Sequence, residues 1–244
     1  MTAPRLVLDR IRLEYSGQPL FADLSLTIPG GRTTCILGPS GCGKSTLLKL
    51  LAGAPSLEFQ GEIRIEPAPA GPAVAWMSQN DLLLPWLSLL DNILLGARLR
   101  GELTPTHRDK ALDLLSQAGL ADQARALPTA LSGGMRQRGA LLRTLMEGRP
   151  VILMDEPFSA LDALNRLRLQ NLAARLTANA TVVLVTHDPL EALRLGHHIV
   201  VLGGSPARVV RTMDLPEEPP REAGDPALAR HHGELLDLLL REVA

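Results

Sequence analysis

Lysine is nearly missing from this chain. Only Lys44, Lys49 and Lys110 accompany 22 arginines among its 25 basic residues. A lysine kept against such a bias invites a chemical reason. Cysteine is scarcer still, with Cys35 and Cys42 alone, and their spacing fits neither a CxxC redox pair nor a zinc knuckle. Both read as free thiols of a reducing compartment. Net charge is −1 and the basic residues are dispersed, which argues against a nucleic-acid-binding surface. No uncharged apolar run approaches the roughly 18 residues of a membrane span, and MTAPRLVLDR has no apolar stretch of signal-peptide length. The expectation is a cytosolic chain without an anchor of its own.

What is present is apolar substance. With 45% hydrophobic residues in 244, the chain has enough to build the core of one large α/β domain. LVLDRIRLEY (6–15) alternates as a half-buried strand does, and TTCILG (33–38) is a short apolar strand running into a glycine-rich turn. A helix is predicted from about Lys44, stopping near Gly53, with strands at GEIRIE (61–66) and AVAWM (73–77). From about 79 to 149 the pattern becomes leucine-rich and helical, as an inserted lobe would be. Strands return at VILMD (151–155), TVVLVTH (181–187) and HIVVLG (198–203), with a helix at about 161–177 between the first two. Apolar strands alternating with helices predict a mostly parallel sheet covered on both faces. Residues 214–226 read as a proline- and acid-rich linker before a final helix, with Asp225 and Pro226 suited to its N-cap and first position.

GPSGCGKS (38–45) fits G-x-x-x-x-G-K-[ST] between a predicted strand and a predicted helix, the context that a phosphate loop needs. Gly38, Pro39, Ser40, Gly41, Cys42, Gly43, Lys44, Ser45 and Thr46 form the candidate cradle. Its glycines let backbone N–H groups turn toward phosphate oxygens, and the helix N-terminus adds partial positive charge. Lys44 is a mobile point charge able to reach the β- and γ-phosphates of ATP, and Ser45 offers a hydroxyl to Mg²⁺. Cys42 lies in the same positive field, so a lowered thiol pKa is expected. VILMDEP (151–157) ends a strand in two acids. Asp155 is placed to hold Mg²⁺ through water, and Glu156 to polarise an attacking water.

LSGGMRQR (131–138) read alone is a routine helix start, Ser132 capping behind two glycines. Its position changes that reading: Ser132 lies 88 residues after Lys44 (132 − 44) and 23 before Asp155 (155 − 132). With these motifs in this order the chain resembles the ABC-transporter ATPases, whose LSGGQ signature occupies that place. Under the resemblance Tyr15 matches the aromatic residue that stacks on adenine, Gln79 the Q-loop glutamine that also serves the metal, SALD (159–162) the D-loop and His187 the switch histidine. Met135 departs from the family's most frequent Gln. Gly139 lies inside the following helix, where glycine costs about 0.5–1 kcal/mol relative to alanine, and the sequence offers no account of it.

The resemblance implies a P-loop NTPase core with a mostly parallel sheet, an N-terminal antiparallel β-subdomain and an inserted helical signature lobe. It places the ATPase domain at 1–213, with the lobe at about 79–149, and leaves 214–244 as linker and C-terminal helix. It implies a second ATPase subunit, most simply an identical copy. The two would pair head to tail, so that Ser132, Gly133 and Gly134 of one chain complete the nucleotide site of the other. A membrane permease, a solute-binding protein and a peripheral position on the cytoplasmic face of the inner membrane follow from the same resemblance.

DLLLPWLSLL (81–90) packs six leucines and one of two tryptophans into ten positions just after Gln79. One reading makes it wholly core. The other has the lobe bury part of it and the permease cover the rest, with Trp86 beside Pro85 as interface anchor. The wording LLLPWLSLLDNILLGARL resembles the importer branch for nitrate, aliphatic sulfonates, taurine and the hydroxymethylpyrimidine precursor of thiamine, with the pyrimidine members nearest in wording. An exporter subunit or a non-transport ABC ATPase is the alternative class.

Overall fold

The computed structural model describes residues 3–15, 17–222 and 224–243. In chain order the elements are β1 Arg5–Tyr15, β2 Gln18–Ile28, β3 Thr33–Leu37, α1 Lys44–Leu51, β4 Gln60–Glu66, β5 Val74–Met77, α2 Leu89–Ile93, α3 Leu95–Leu99 and α4 Pro105–Gln117. They continue with α5 Gly133–Met146, β6 Val151–Asp155, α6 Ala163–Leu176, β7 Thr181–Val185, α7 Pro189–Leu195, β8 His198–Gly203, β9 Arg208–Asp214 and α8 Pro226–Val243.

Two sheets result. β2-β1-β4 is antiparallel; the larger sheet runs β5-β6-β7-β3-β8-β9, parallel except for the β8–β9 pair. The apolar runs predicted as inner strands are buried on both faces, and the period of two divides their side chains. Ile152, Met154, Val182, Leu184, Cys35, Leu37, Ile199 and Val201 face one core, which they share with α2, α4, α5 and α6. Val151, Leu153, Val183, Val185, Ile36, Val200 and Leu202 face the other, filled by α1 and the antiparallel sheet. A strand buried on both faces reads as a continuous apolar run, which is why these segments were visible in sequence.

The first strand is less regular than its letters. Leu6 and Leu8 are buried, then Ile11 and Leu13, because the pairing with β2 shifts register between Leu8 and Ile11 and Arg10 adopts φ 50°. A bulge inserts one residue and restores the inward face. The partner strand β2 and the edge strand β9 were not placed individually in sequence. β2 carries the same irregularity at Asp23, with φ 99°, and β9 is half solvated.

The inserted lobe is α2 to α5, joined to the sheet through β5 and α5. Gly139 now has a reason. A Cβ on it would lie 2.5 Å from Cδ1 of the fully buried Leu89, with Leu83 Cδ1 at 3.5 Å. Glycine lets α5 approach α2 more closely than any side chain permits. Gly139→Val should therefore lower stability by about 1–3 kcal/mol through overpacking, despite the better helix propensity of valine over glycine, as read by urea denaturation.

Candidate functional site

The carboxyl ends of β5, β6, β7 and β3 lie side by side on one edge of the parallel sheet, the edge at which open α/β sheets bind ligands. Every motif at a strand end is delivered there: Gln79 after β5, Asp155 and Glu156 at the end of β6, His187 after β7, and the phosphate loop after β3.

The loop is built from backbone that glycine alone adopts easily. Gly41 has φ 82° and Gly43, the N-cap of α1, has φ 95°. Lys44 is buried, and its ammonium donates to the carbonyls of Gly38 and Pro39, both at 2.7 Å. Ser45 hydrogen-bonds the Asp155 carboxylate. Burial raises the Asp155 pKa above its ordinary value, and the Ser45 bond opposes that rise. A hydroxyl and a buried carboxylate, with triphosphate oxygens to complete the shell, fit Mg²⁺, a hard cation that takes few protein ligands.

Glu156 sits at φ 49°, an uncommon backbone for a non-glycine residue. Its N–H donates to the Val185 carbonyl at 2.9 Å, and its Oε2 lies 2.8 Å from His187 Nδ1. The strained turn therefore holds an acid against an imidazole at the sheet edge. Behind them Glu191 of α7 is buried, and burial pushes its carboxyl up to about 7 against hydrogen bonds from Thr186 and Gln170.

Cys42 departs from expectation. Its thiol pKa is raised, because burial outweighs the nearby Lys44 charge that lowers it. The positive field is present, but the side chain turns inward, 9% exposed, into the core of α1 and the antiparallel sheet. Cys35 is buried and raised likewise.

The remaining predicted residues stand apart from this cluster. Tyr15 is 63% exposed at the end of β1. The Ser132 hydroxyl accepts from the Met135 N–H at 3.2 Å as N-cap of α5, and Ser132 and Gly133 are exposed at the start of that helix. Gly134 packs closely on the Ala160 carbonyl.

In the leucine-rich stretch Leu83, Leu89 and Leu90 are buried, whereas Leu82 is 61% and Trp86 71% exposed. The reading of the stretch as wholly core is thus excluded. Buried Asn92 shapes the turn around Pro85 and Trp86: it accepts from the Leu84 N–H and donates to the carbonyls of Leu84, Leu87 and Ser88. Two arginines of α5 then clamp the segment just after Gln79. Arg136 Nε meets Asp81 Oδ2 at 3.0 Å, and Arg143 donates to the carbonyls of Asp81 and Leu82, both at 2.7 Å.

Sequence reasoning missed Asn92, Arg136, Arg143 and Gln137. Gln137 offered a signal. It lies four positions before Leu141 on the inward face of α5, where a polar side chain needs partners.

The family model described as "ABC transporter" matches residues 21–159, more than half of the chain. An aliphatic sulfonates import ATP-binding protein of Burkholderia cenocepacia is 40% identical over 244 residues, covering 98% of this chain and 88% of the relative. A taurine import ATP-binding protein of Chromobacterium violaceum is 41% identical over 231 residues, covering 92% and 88%. Among solved structures, a dimeric ATP-binding cassette in a post-hydrolysis state, bound to ADP and Pi, superimposes with a TM-score of 0.75 at 29% identity. The match covers 87% of this chain and 99% of that one.

The buried thiol should react slowly. Alkylation of Cys42 by iodoacetamide, followed by mass spectrometry across pH 6 to 10, should show negligible labelling at pH 7 and a rise only above the ordinary thiol range. Rapid labelling at pH 7 would contradict the burial argument.

Proposed function

Because the chain belongs to the ABC transporter family, as an ATP-hydrolysing subunit coupled to transport, we propose that it energises import of a small organic anion of the sulfonate or taurine class. The cargo class is supported by relatives at 40 and 41% identity whose names carry those solutes. The mechanism is supported by one observation above others: Lys44, Ser45, Asp155, Glu156 and His187 converge on one strand edge.

In this mechanism Lys44 keeps its two loop carbonyls and turns its third ammonium proton toward the β- and γ-phosphate oxygens, and the N–H groups of residues 40–46 line the same anion. Gly38 and Pro39 shape the loop's entry, and Tyr15 covers the base. Ser45, Asp155 and Gln79 would hold Mg²⁺, whose charge offsets that of the phosphates when bound. Glu156 polarises a water and takes its proton as the water oxygen attacks the γ-phosphorus and the bond to the ADP oxygen breaks. His187, hydrogen-bonded to one oxygen of that carboxylate, fixes its aim.

The seam is completed by a second copy of the chain. Ser132 and Gly133 are exposed and Gly134 half-buried at a helix N-terminus, an arrangement suited to receiving the γ-phosphate of a partner's nucleotide. The dimeric cassette of the same fold supports this pairing. A permease covers Leu82 and Trp86. Among the described residues no helix is long and apolar enough to cross a membrane, so the membrane contact runs through that surface, and a solute-binding protein delivers cargo from the far side. Residues 1–213 serve as the ATPase domain and 214–244 as linker and packing helix.

Glu156→Gln should retain ATP binding, accumulate as a closed dimer on size exclusion and lose turnover by about 10²-fold or more. Lys44→Ala should instead weaken nucleotide binding itself. The solute class is tested by thermal shift of the co-purifying binding protein against taurine, alkanesulfonates, nitrate and hydroxymethylpyrimidine. Stabilisation by sulfonates or taurine is expected; a response to the pyrimidine alone would reassign the cargo to the thiamine-precursor branch.

A further inference from the structure

The signature helix is hydrogen-bonded to the acid turn of its own chain through a single amide. Gln137, 6% exposed, donates from Nε2 to the Glu156 carbonyl at 3.0 Å and to Ser159 Oγ at 3.1 Å. Its Oε1 accepts from the Ala160 N–H at 2.8 Å. Ser159 Oγ in turn donates to the same Glu156 carbonyl at 3.1 Å. The carbonyl of Glu156 is thus held from two sides while its N–H is fixed on β7 by Val185. Left-handed backbone at a non-glycine residue persists only where the surroundings over-determine it, and Gln137 is the part of those surroundings contributed by the helical lobe.

We propose that Gln137 is a positioning residue that couples the signature end of α5 to the aim of Glu156. The proposal rests on the role assigned to Glu156 above. Gln137 lies one turn after Gly133, so a pull on the helix N-terminus by a partner's phosphate is transmitted along a rigid turn to the amide. From there it passes to the peptide that orients the carboxylate. The Gly134 approach to the Ala160 carbonyl, with room for no more than a Cβ at 3.2 Å, stiffens the same junction. Each chain then senses, through one side chain, whether its signature has engaged the neighbouring nucleotide before it cleaves its own.

The test uses the full chain at concentrations where it self-associates. Gln137→Met keeps the length and removes all three hydrogen bonds. Gln137→Glu keeps an acceptor for Ala160 and removes the donors to Glu156 and Ser159. Both should lower kcat at least tenfold, leave the KM for ATP within threefold, and reduce the Hill coefficient for ATP toward 1. A purely structural loss would instead weaken nucleotide binding together with turnover. Ser159→Ala, at an exposed side chain, should lower kcat a few-fold alone and add nothing in the Gln137→Met background. If Gln137→Met fails to fold, the Gln137→Glu and Ser159→Ala results carry the test. Retention of kcat within twofold in these variants, or a rise in KM matching the fall in kcat, would overturn the proposal. Glu156→Gln separates the two readings. Its turnover surviving would overturn the role of Glu156, whereas its turnover lost with Gln137 variants intact would overturn this inference alone.

Discussion

The site depends on the parallel register of β6 against β7. Asp155 pairs with Val185 as the last rung of that ladder, and the next residue, Glu156, uses its N–H to bond the same Val185 carbonyl side of the sheet before the chain turns. A slip of one residue would invert every side chain of β6. Val151 and Leu153 would exchange cores with Ile152 and Met154, and the carboxylate now beside Ser45 would leave the phosphate loop. Burial on both faces forbids the slip, so packing of four apolar residues, Val151 to Met154, places the acids with a precision that no loop alone supplies.

The second constraint acts through α5. One face of this helix is core, with Ala140, Leu141, Leu142 and Leu145 buried. Its other contacts are polar and specific: Arg136 and Arg143 reach the segment after Gln79, and Gln137 reaches the acid turn. The exposed Trp86 patch, the signature end and Glu156 are therefore linked by one rigid element with three kinds of attachment. Arg136 also donates to the Leu131 carbonyl at 2.8 Å, one residue before Ser132, which brings the Asp81 clamp to the mouth of the signature.

Much of this was legible in sequence, and the limits have physical causes. Strands buried on both faces announce themselves as unbroken apolar runs, and the phosphate loop announces itself because its backbone demands glycine at fixed places. β2 and β9 were harder to place because a strand with one solvated face relies on alternation, and in β2 the bulge at Asp23 breaks it. Cys42 was misjudged because spacing reports which charges are near a thiol but not whether its side chain turns toward them or into the core. Gly139 was opaque because its reason lies in Leu89, fifty positions away. Gln137 was overlooked inside a recognised motif whose flanking letters drew the reading.

The arginine bias closes the argument about Lys44. Guanidinium forks stitch loops to one another by capping backbone carbonyls: Arg138 on Ala118, Arg143 on Asp81 and Leu82, Arg149 on Pro72, Arg221 on Leu193 and Gly196. A planar five-donor group suits several acceptors spread in a plane, and it keeps its charge even where burial lowers its pKa, as at Arg143 and Arg221. The phosphate loop asks for something else. The cation there bonds two loop carbonyls and must still present a proton to an incoming oxygen. An ammonium has three donors in a compact head, two of which Gly38 and Pro39 occupy. Lys49 and Lys110 are exposed and face no such demand, so of the three lysines it is the buried Lys44 whose place calls for a compact ammonium rather than a guanidinium.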